Sequence, residues 1–282
     1  MPIDLHTHST ASDGTEAPAV VVERAAQAGV DTLGLTDHDT TFGWAEAATA
    51  ASEYGVTLVP GIEVSCSRGR QSIHLLAYLP DPTHPDLTSE LARARTSRDT
   101  RLERMVQRMA DDGIPVTLDA VRAQVEEGAT AGRPHIADAL VAEGVVAHRD
   151  EAFARWLGND SPYYVTHYAP DPVRAVEVVR AAGGVPVVAH PWSGTRGRVV
   201  SDAVVEEMVH AGLAGLEVHH RDHDGDAVLH LTELAAAMGL LVTGSSDYHG
   251  NGKRNRIGEH TTAPAVFEAI VEQATGTALV RP

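Results

Sequence analysis

Residues 3–13 read IDLHTHSTASD. A short apolar run ends in two histidines spaced by two, and an aspartate follows five residues after the second. Side chains two apart on a strand share a face, so His6 and His8 can grip one ion together. H-x-H alone is weak. Its weight depends on what stands at the ends of the other apolar runs.

The pattern recurs down the chain. VDTLGLTDHD (30–39) reaches Asp37 and His38, and VTLVPGIEVSC (56–66) carries Glu63. VPVVAHP (185–191) reaches His190, LAGLEVHH (213–220) reaches Glu217 and His219, and LLVTGSSDYHG (240–250) reaches Asp247 and His249. His74 is the exception, near the start of SIHLLAYLP (72–80). Amphipathic segments separate these runs at 14–29, 41–55, 170–184, 201–212, 225–239 and 264–276, and TALV (277–280) reads as a last strand. In the first helix Thr15 is the expected N-cap, Pro18 lies in the first turn and Gly29 is the stop. Strand alternating with helix is the rhythm of parallel β/α units. In a parallel barrel the carboxyl ends of the strands converge on one face, where active sites are built.

The rhythm breaks near Pro80. A helix over about 87–111 carries Leu102, Met105, Val106 and Met109 on one stripe, with Arg101, Arg104 and Arg108 on a neighbouring flank. Shorter helical pieces continue. The expected organisation is a barrel from residues 1–83 and 173–282, with residues 84–172 a mostly helical insertion covering the active site.

The 282 residues suffice for a sizeable core, and the single cysteine, Cys66, excludes an internal disulfide framework. No apolar stretch approaches the roughly 18 residues of a membrane helix. No basic segment followed by an apolar one opens the chain, so a cytoplasmic location is expected. The formal charge of −17 argues against general affinity for nucleic acid or anionic membrane. It does not exclude an anionic substrate, because bound cations can reverse the local field. No stable protein partner is implied.

Together DLHTHSTASDG, LGLTDHDT, PGIEVSC, IHLLAY, GRPHIA, VVAHP, LEVHH and SSDYHG resemble the polymerase-and-histidinol-phosphatase (PHP) superfamily. More narrowly they resemble its stand-alone members, which act as metal-dependent nucleotide phosphoesterases. The resemblance implies an α/β fold, a distorted (β/α)7 TIM-like barrel, with two or three divalent ions (Mn, Fe or Zn). Carried onto this chain, His6, His8, Glu63 and Asp247 hold the first ion. Glu63 bridges to a second ion held by His74 and His190. Asp13, His38 and His249 hold a third. Several relatives carry histidine at the position of Asp13, and a carboxylate there changes the strength or metal preference of that site.

Three divalent ions bring about +6, and three carboxylates with a bridging hydroxide remove roughly four. The remainder matches a phosphate monoester dianion. The expected nucleophile is that bridging hydroxide. Asp37 is expected to orient an imidazole. By resemblance Arg133 and His135 of GRPHIA contact the phosphate, and Arg suits this through forked hydrogen bonds. His135, His223 or a metal-bound water protonates the leaving alcohol. Glu217 and His219 serve either an imidazole or the substrate. Arg133, Arg198 and Lys253 are candidates for gripping a second phosphate. The expected reaction is hydrolysis of nucleoside 3′,5′-bisphosphates or of the 5′ ends of short oligonucleotides. A histidinol phosphatase is the alternative among enzymes, and a non-catalytic module binding metal or phosphate is the alternative outside them.

Overall fold

The computed structural model describes residues 2–69, 71–193 and 199–282. Seven strands follow chain order around one sheet: β1 (Ile3–Thr7), β2 (Thr32–Leu35), β3 (Thr57–Arg68), β4 (Gln71–Tyr78), β5 (Val185–Ala189), β6 (Gly215–His219) and β7 (Leu241–Gly244). A bridge between Thr7 and Tyr248 brings the two edges together, with the His8 N–H donating to the Tyr248 carbonyl at 2.8 Å. The sheet is a nearly closed α/β barrel, as expected.

Neighbouring strands pair parallel except β4, which is antiparallel to β3 and β5. Only residues 69 and 70 separate β3 from β4, too few for a crossover, so the chain must return antiparallel. This resolves the His74 exception. The start of β4 lies at the barrel end where its neighbours finish, and His74 pairs with Ser65 and Ala189.

Helices α1 (Pro18–Gln27) and α2 (Trp44–Tyr54) cover β2, packing Val21, Val22, Ala47 and Ala51 on Leu33 and Leu35. Helices α7 (Pro172–Ala181), α8 (Asp202–His210) and α9 (Gly225–Met238) follow beyond the helical segment described below. They pack Val176, Val205, Met208 and Leu231 on Ile62, Val64, Ile73, Leu75, Leu216 and Val218. Strand alternation then sends Glu63, His74 and Glu217 to the inner face.

Between β4 and α7 every described element is helical: α3 (Pro85–Asp111), α4 (Leu118–Arg122), α5 (Arg133–Ala142), α6 (Arg149–Ala152) and a π-helical turn (Phe153–Leu157). The Leu102, Met105, Val106 and Met109 stripe packs here on Ile136, Leu140 and Leu157. Arg98 ties α3 to the barrel, donating from Nε to Asp39 Oδ2 at 2.9 Å and from Nη2 to Ser65 Oγ.

Two local expectations fail. Helix α1 begins at Pro18, without a side-chain cap. Thr15 instead accepts the Asn251 N–H and donates to the His249 carbonyl, pinning a site loop. TALV forms only one antiparallel bridge, Val280 to Leu58, because the barrel is already ringed by seven strands. The last helix, α10 (Pro264–Gln273), precedes it.

Candidate metal centre

His6 and His8 point into the barrel with their Nε2 atoms 3.0 Å apart. Glu63 Oε2 lies 3.2 Å from His6 Nε2, 3.0 Å from His8 Nε2 and 3.3 Å from His38 Nδ1. Its other oxygen lies 2.7 Å from His74 Nδ1 and 3.1 Å from His190 Nε2. One carboxylate thus stands among five imidazoles. Asp247 Oδ1 lies 3.4 Å from His6 and 3.5 Å from His8. Asp13 lies 3.2 Å from His249 Nε2 and 3.8 Å from His38 Nε2.

The described residues form three groups with ligand atoms within 4.8 Å of one another: His6, His8, Glu63 and Asp247; His8, Asp13, His38 and His249; and His38, Glu63 and His74. Buried His38 Nδ1 and His249 Nε2 make no hydrogen bond, although each faces a carboxylate oxygen. Lone pairs and carboxylates aimed at shared centres fit divalent cations. Imidazole and carboxylate donors without thiolate suit Zn, Mn or Fe(II). Cys66 packs among apolar residues on the outer layer.

Loop geometry holds the ligands. His190 and Asp247 follow their strands with φ of 30° and 54°, sparsely populated values for residues with side chains. Glu217 joins two ligands: Oε1 lies 3.0 Å from His6 Nδ1, and Oε2 accepts the His190 N–H at 2.8 Å. Such a carboxylate orients an imidazole and makes it a stronger ligand. Asp37 lies behind the site and accepts from Ser9 N–H, Ser9 Oγ and Ser12 Oγ. It shapes the loop between His8 and Asp13 and does not line the cavity.

Burial opposes protonation of His6 and His8, but neighbouring carboxylates outweigh it. His8 is raised to about 9 by Asp247, Glu63 and Asp13, and His6 is raised by Glu217, Glu63 and Asp247. Glu63 and Asp13 are lowered despite burial, by His38, His74 and His6 around Glu63 and by His249, His38 and His8 around Asp13. Burial and His8 push His249 down to about 4. The raised histidines stabilise the metal-free fold fully below about 6.5, and that contribution is lost as pH rises through about 9. The lowered carboxylates contribute above their ordinary values and lose that contribution only in acid. The thermal midpoint of chelated protein is therefore expected to fall between pH 6.5 and 9. The gain on adding divalent metal should grow over the same interval, because ligation needs neutral imidazole. A chelated midpoint that rises there contradicts this assignment.

The remaining expected residues divide. Arg133 lines the cavity, its Nη1 donating to the Leu157 carbonyl at 2.7 Å and Asn159 Oδ1 at 2.8 Å. Lys253 also lines it, with Nζ 2.9 Å from Asp247 Oδ2. His135 is buried off the cavity wall, and its Nδ1 accepts the Gly132 N–H. The His223 expectation is corrected: its Nδ1 donates to the Val218 carbonyl and its Nε2 accepts the Trp192 N–H, so neither nitrogen is left for substrate. Arg198 lies outside the described residues.

His220 was not anticipated. A register shift between Glu217 and His219 breaks the alternation, turning His219 to solvent and His220 inward, 3.4 Å from Asp247 Oδ2. His167 also lines the cavity, beside Arg101.

A β/α barrel whose strand ends carry linked histidine and carboxylate groups is the architecture of a metal-dependent hydrolase, and full-length relatives narrow the class to phosphoesterases. The chain belongs to the PHP family, with residues 4–92 matching the PHP domain. It is 35% identical to a 3′,5′-nucleoside bisphosphate phosphatase of Chromobacterium violaceum, over 92% of this chain and 91% of that protein. It is 34% identical to a 5′-3′ exoribonuclease of Haemophilus influenzae, over 87% and 89% of the two chains. The crystal structure of a candidate metal-dependent phosphoesterase from Bifidobacterium adolescentis matches with a TM-score of 0.94 and 41% identity, covering 98% of each chain. No helix among the described residues is long and apolar enough to cross a membrane.

Proposed function

We propose that this chain hydrolyses phosphate esters of nucleotides, either nucleoside 3′,5′-bisphosphates or the 5′ ends of short oligonucleotides. The observation that carries this is a single cavity of about 700 Å³. Asp13, His38, His74, His190 and His249 stand on one side, and Arg101, Arg133, Phe153 and Tyr164 on the other. That volume suits a whole nucleotide. The names of the bisphosphate phosphatase and the exoribonuclease support the same substrate class. A small amino-alcohol phosphate would leave the arginine wall without a partner.

In this reading His6, His8, Glu63 and Asp247 hold one ion, Glu63, His74 and His190 a second, and Asp13, His38 and His249 a third. Mn, Fe(II) and Zn all suit these donors. Ions held there ionise water near neutral pH and offset the charge that builds on phosphorus oxygens. Glu217 keeps the His6 and His190 imidazoles aimed, and Asp37 keeps the Asp13 loop closed. Arg133 presents its guanidinium to phosphate oxygens. Residues 84–172 act as the insertion that roofs the barrel formed by 1–83 and 173–282.

The test compares phosphate release from adenosine 3′,5′-bisphosphate, a 5′-phosphorylated oligoribonucleotide and histidinol phosphate, with protein loaded in turn with Mn, Fe(II) and Zn. A nucleotide substrate is expected to be preferred in kcat/KM by about tenfold or more. Equal turnover, or a preference for histidinol phosphate, overturns the reading.

A further inference from the structure

Four arginines reach the cavity from the helical segment, Arg98, Arg101, Arg133 and Arg149, the last paired with Asp138. Arg98 is paired with Asp39. Arg101 is only 6% exposed, and its Nε and Nη2 make no hydrogen bond. Among the described residues it forms no ion pair, and its Nη1 meets His167 Nδ1 at 3.5 Å. Among the described residues Arg133 hydrogen-bonds only to neutral oxygens, those of Leu157 and Asn159. The ring of Tyr164 stands against both guanidinium groups, 5.0 Å from that of Arg101 and 5.5 Å from that of Arg133.

His167 completes the set. Its Nδ1 faces an arginine donor and must accept, so the proton sits on Nε2. That Nε2 is also buried without a partner. Burial and the arginines push His167 down to about 2, so the ring stays neutral and adds no third positive charge. The unsatisfied groups are therefore all donors: two on Arg101 and one on His167. Uncompensated buried cations are costly to a fold, and a bound anion removes that cost. Phosphate oxygens match guanidinium forks in shape and charge.

We propose that Arg101, His167 and Arg133 form a second phosphate subsite, which holds the substrate phosphate that is not being hydrolysed. The inference rests on the nucleotide reading above and deepens it, since this subsite sets the preference for nucleotides carrying two phosphates over simple monoesters. The second phosphate is the distal group of a nucleoside bisphosphate or the internucleotide group of an oligonucleotide.

The test uses Arg101→Met and His167→Leu in the full chain with Mn. The kcat/KM ratio of adenosine 3′,5′-bisphosphate to p-nitrophenyl phosphate is expected to fall about tenfold to a hundredfold in Arg101→Met, chiefly through KM, and less in His167→Leu. A 5′-phosphorylated diribonucleotide shows whether an internucleotide phosphate uses the same subsite, and a fall with either substrate supports it. Arg101→Met should unfold at or above the wild-type temperature, because it removes an unpaired buried charge. An unchanged ratio, or a less stable variant that loses all substrates equally, overturns the proposal. Calorimetric binding of adenosine 3′,5′-bisphosphate to metal-free protein separates the two claims. If wild type turns over no nucleotide yet binds this ligand and Arg101→Met does not, the subsite stands and the catalytic reading falls. Equal binding by both proteins removes the subsite.

Discussion

Glu63→Gln is expected to lower phosphoester hydrolysis by about 10³-fold and to strip bound divalent ions while leaving the fold intact. Glu63 is nearly fully buried, and its two oxygens lie between 2.7 and 3.3 Å from the nitrogens of His6, His8, His38, His74 and His190. Glutamine keeps the volume but loses the negative charge that gathers cations. Its amide group would also aim N–H bonds at sites where an ion is needed. Elemental analysis after dialysis, alongside kcat with excess metal, checks both halves. Full metal content with near wild-type kcat would remove Glu63 from the centre of the site.

Gly34→Ala is expected to cost about 3 kcal/mol of stability, at the upper end for an overpacked core position. A Cβ on Gly34 would lie 2.4 Å from the Leu5 carbonyl oxygen and 2.6 Å from its carbon. Both obstacles are backbone, so no rotamer change relieves them, and β1 itself must move. His6 follows Leu5 directly, and the Gly34 carbonyl accepts from Thr7 Oγ1 at 2.7 Å. Displacement of β1 should therefore weaken metal affinity as well as stability. Denaturant unfolding of metal-free protein measures the first effect and metal titration the second. A variant within about 0.5 kcal/mol of wild type would show that β1 shifts freely.

The residues at the strand ends were legible because their spacing is a local property. Period-two alternation places His6 with His8 and sets Glu63 opposite Val64, whatever surrounds them. Helix α3 was legible for the same reason, since its stripe repeats with the helical period. Asp37 and Glu217 were visible as polar residues at strand ends. Their partners, Ser12 and His190, come from other parts of the chain and could not be read from spacing. Lys253 looked like a phosphate grip in a basic loop, and the fold sets it on Asp247.

By itself the sequence determined which side chains stand at the strand ends, and with them the chemistry the site can perform. Strand and helix periodicity needs only neighbouring residues to be expressed. Tertiary structure alone decided the reversed direction of β4, the choice of His220 over His219, the engagement of both His223 nitrogens and the burial of Arg101 beside Arg133. Each of these depends on strand pairing, a register shift or helix docking between segments far apart in the chain, and the cost of burying a charge is set by whatever the fold brings around it.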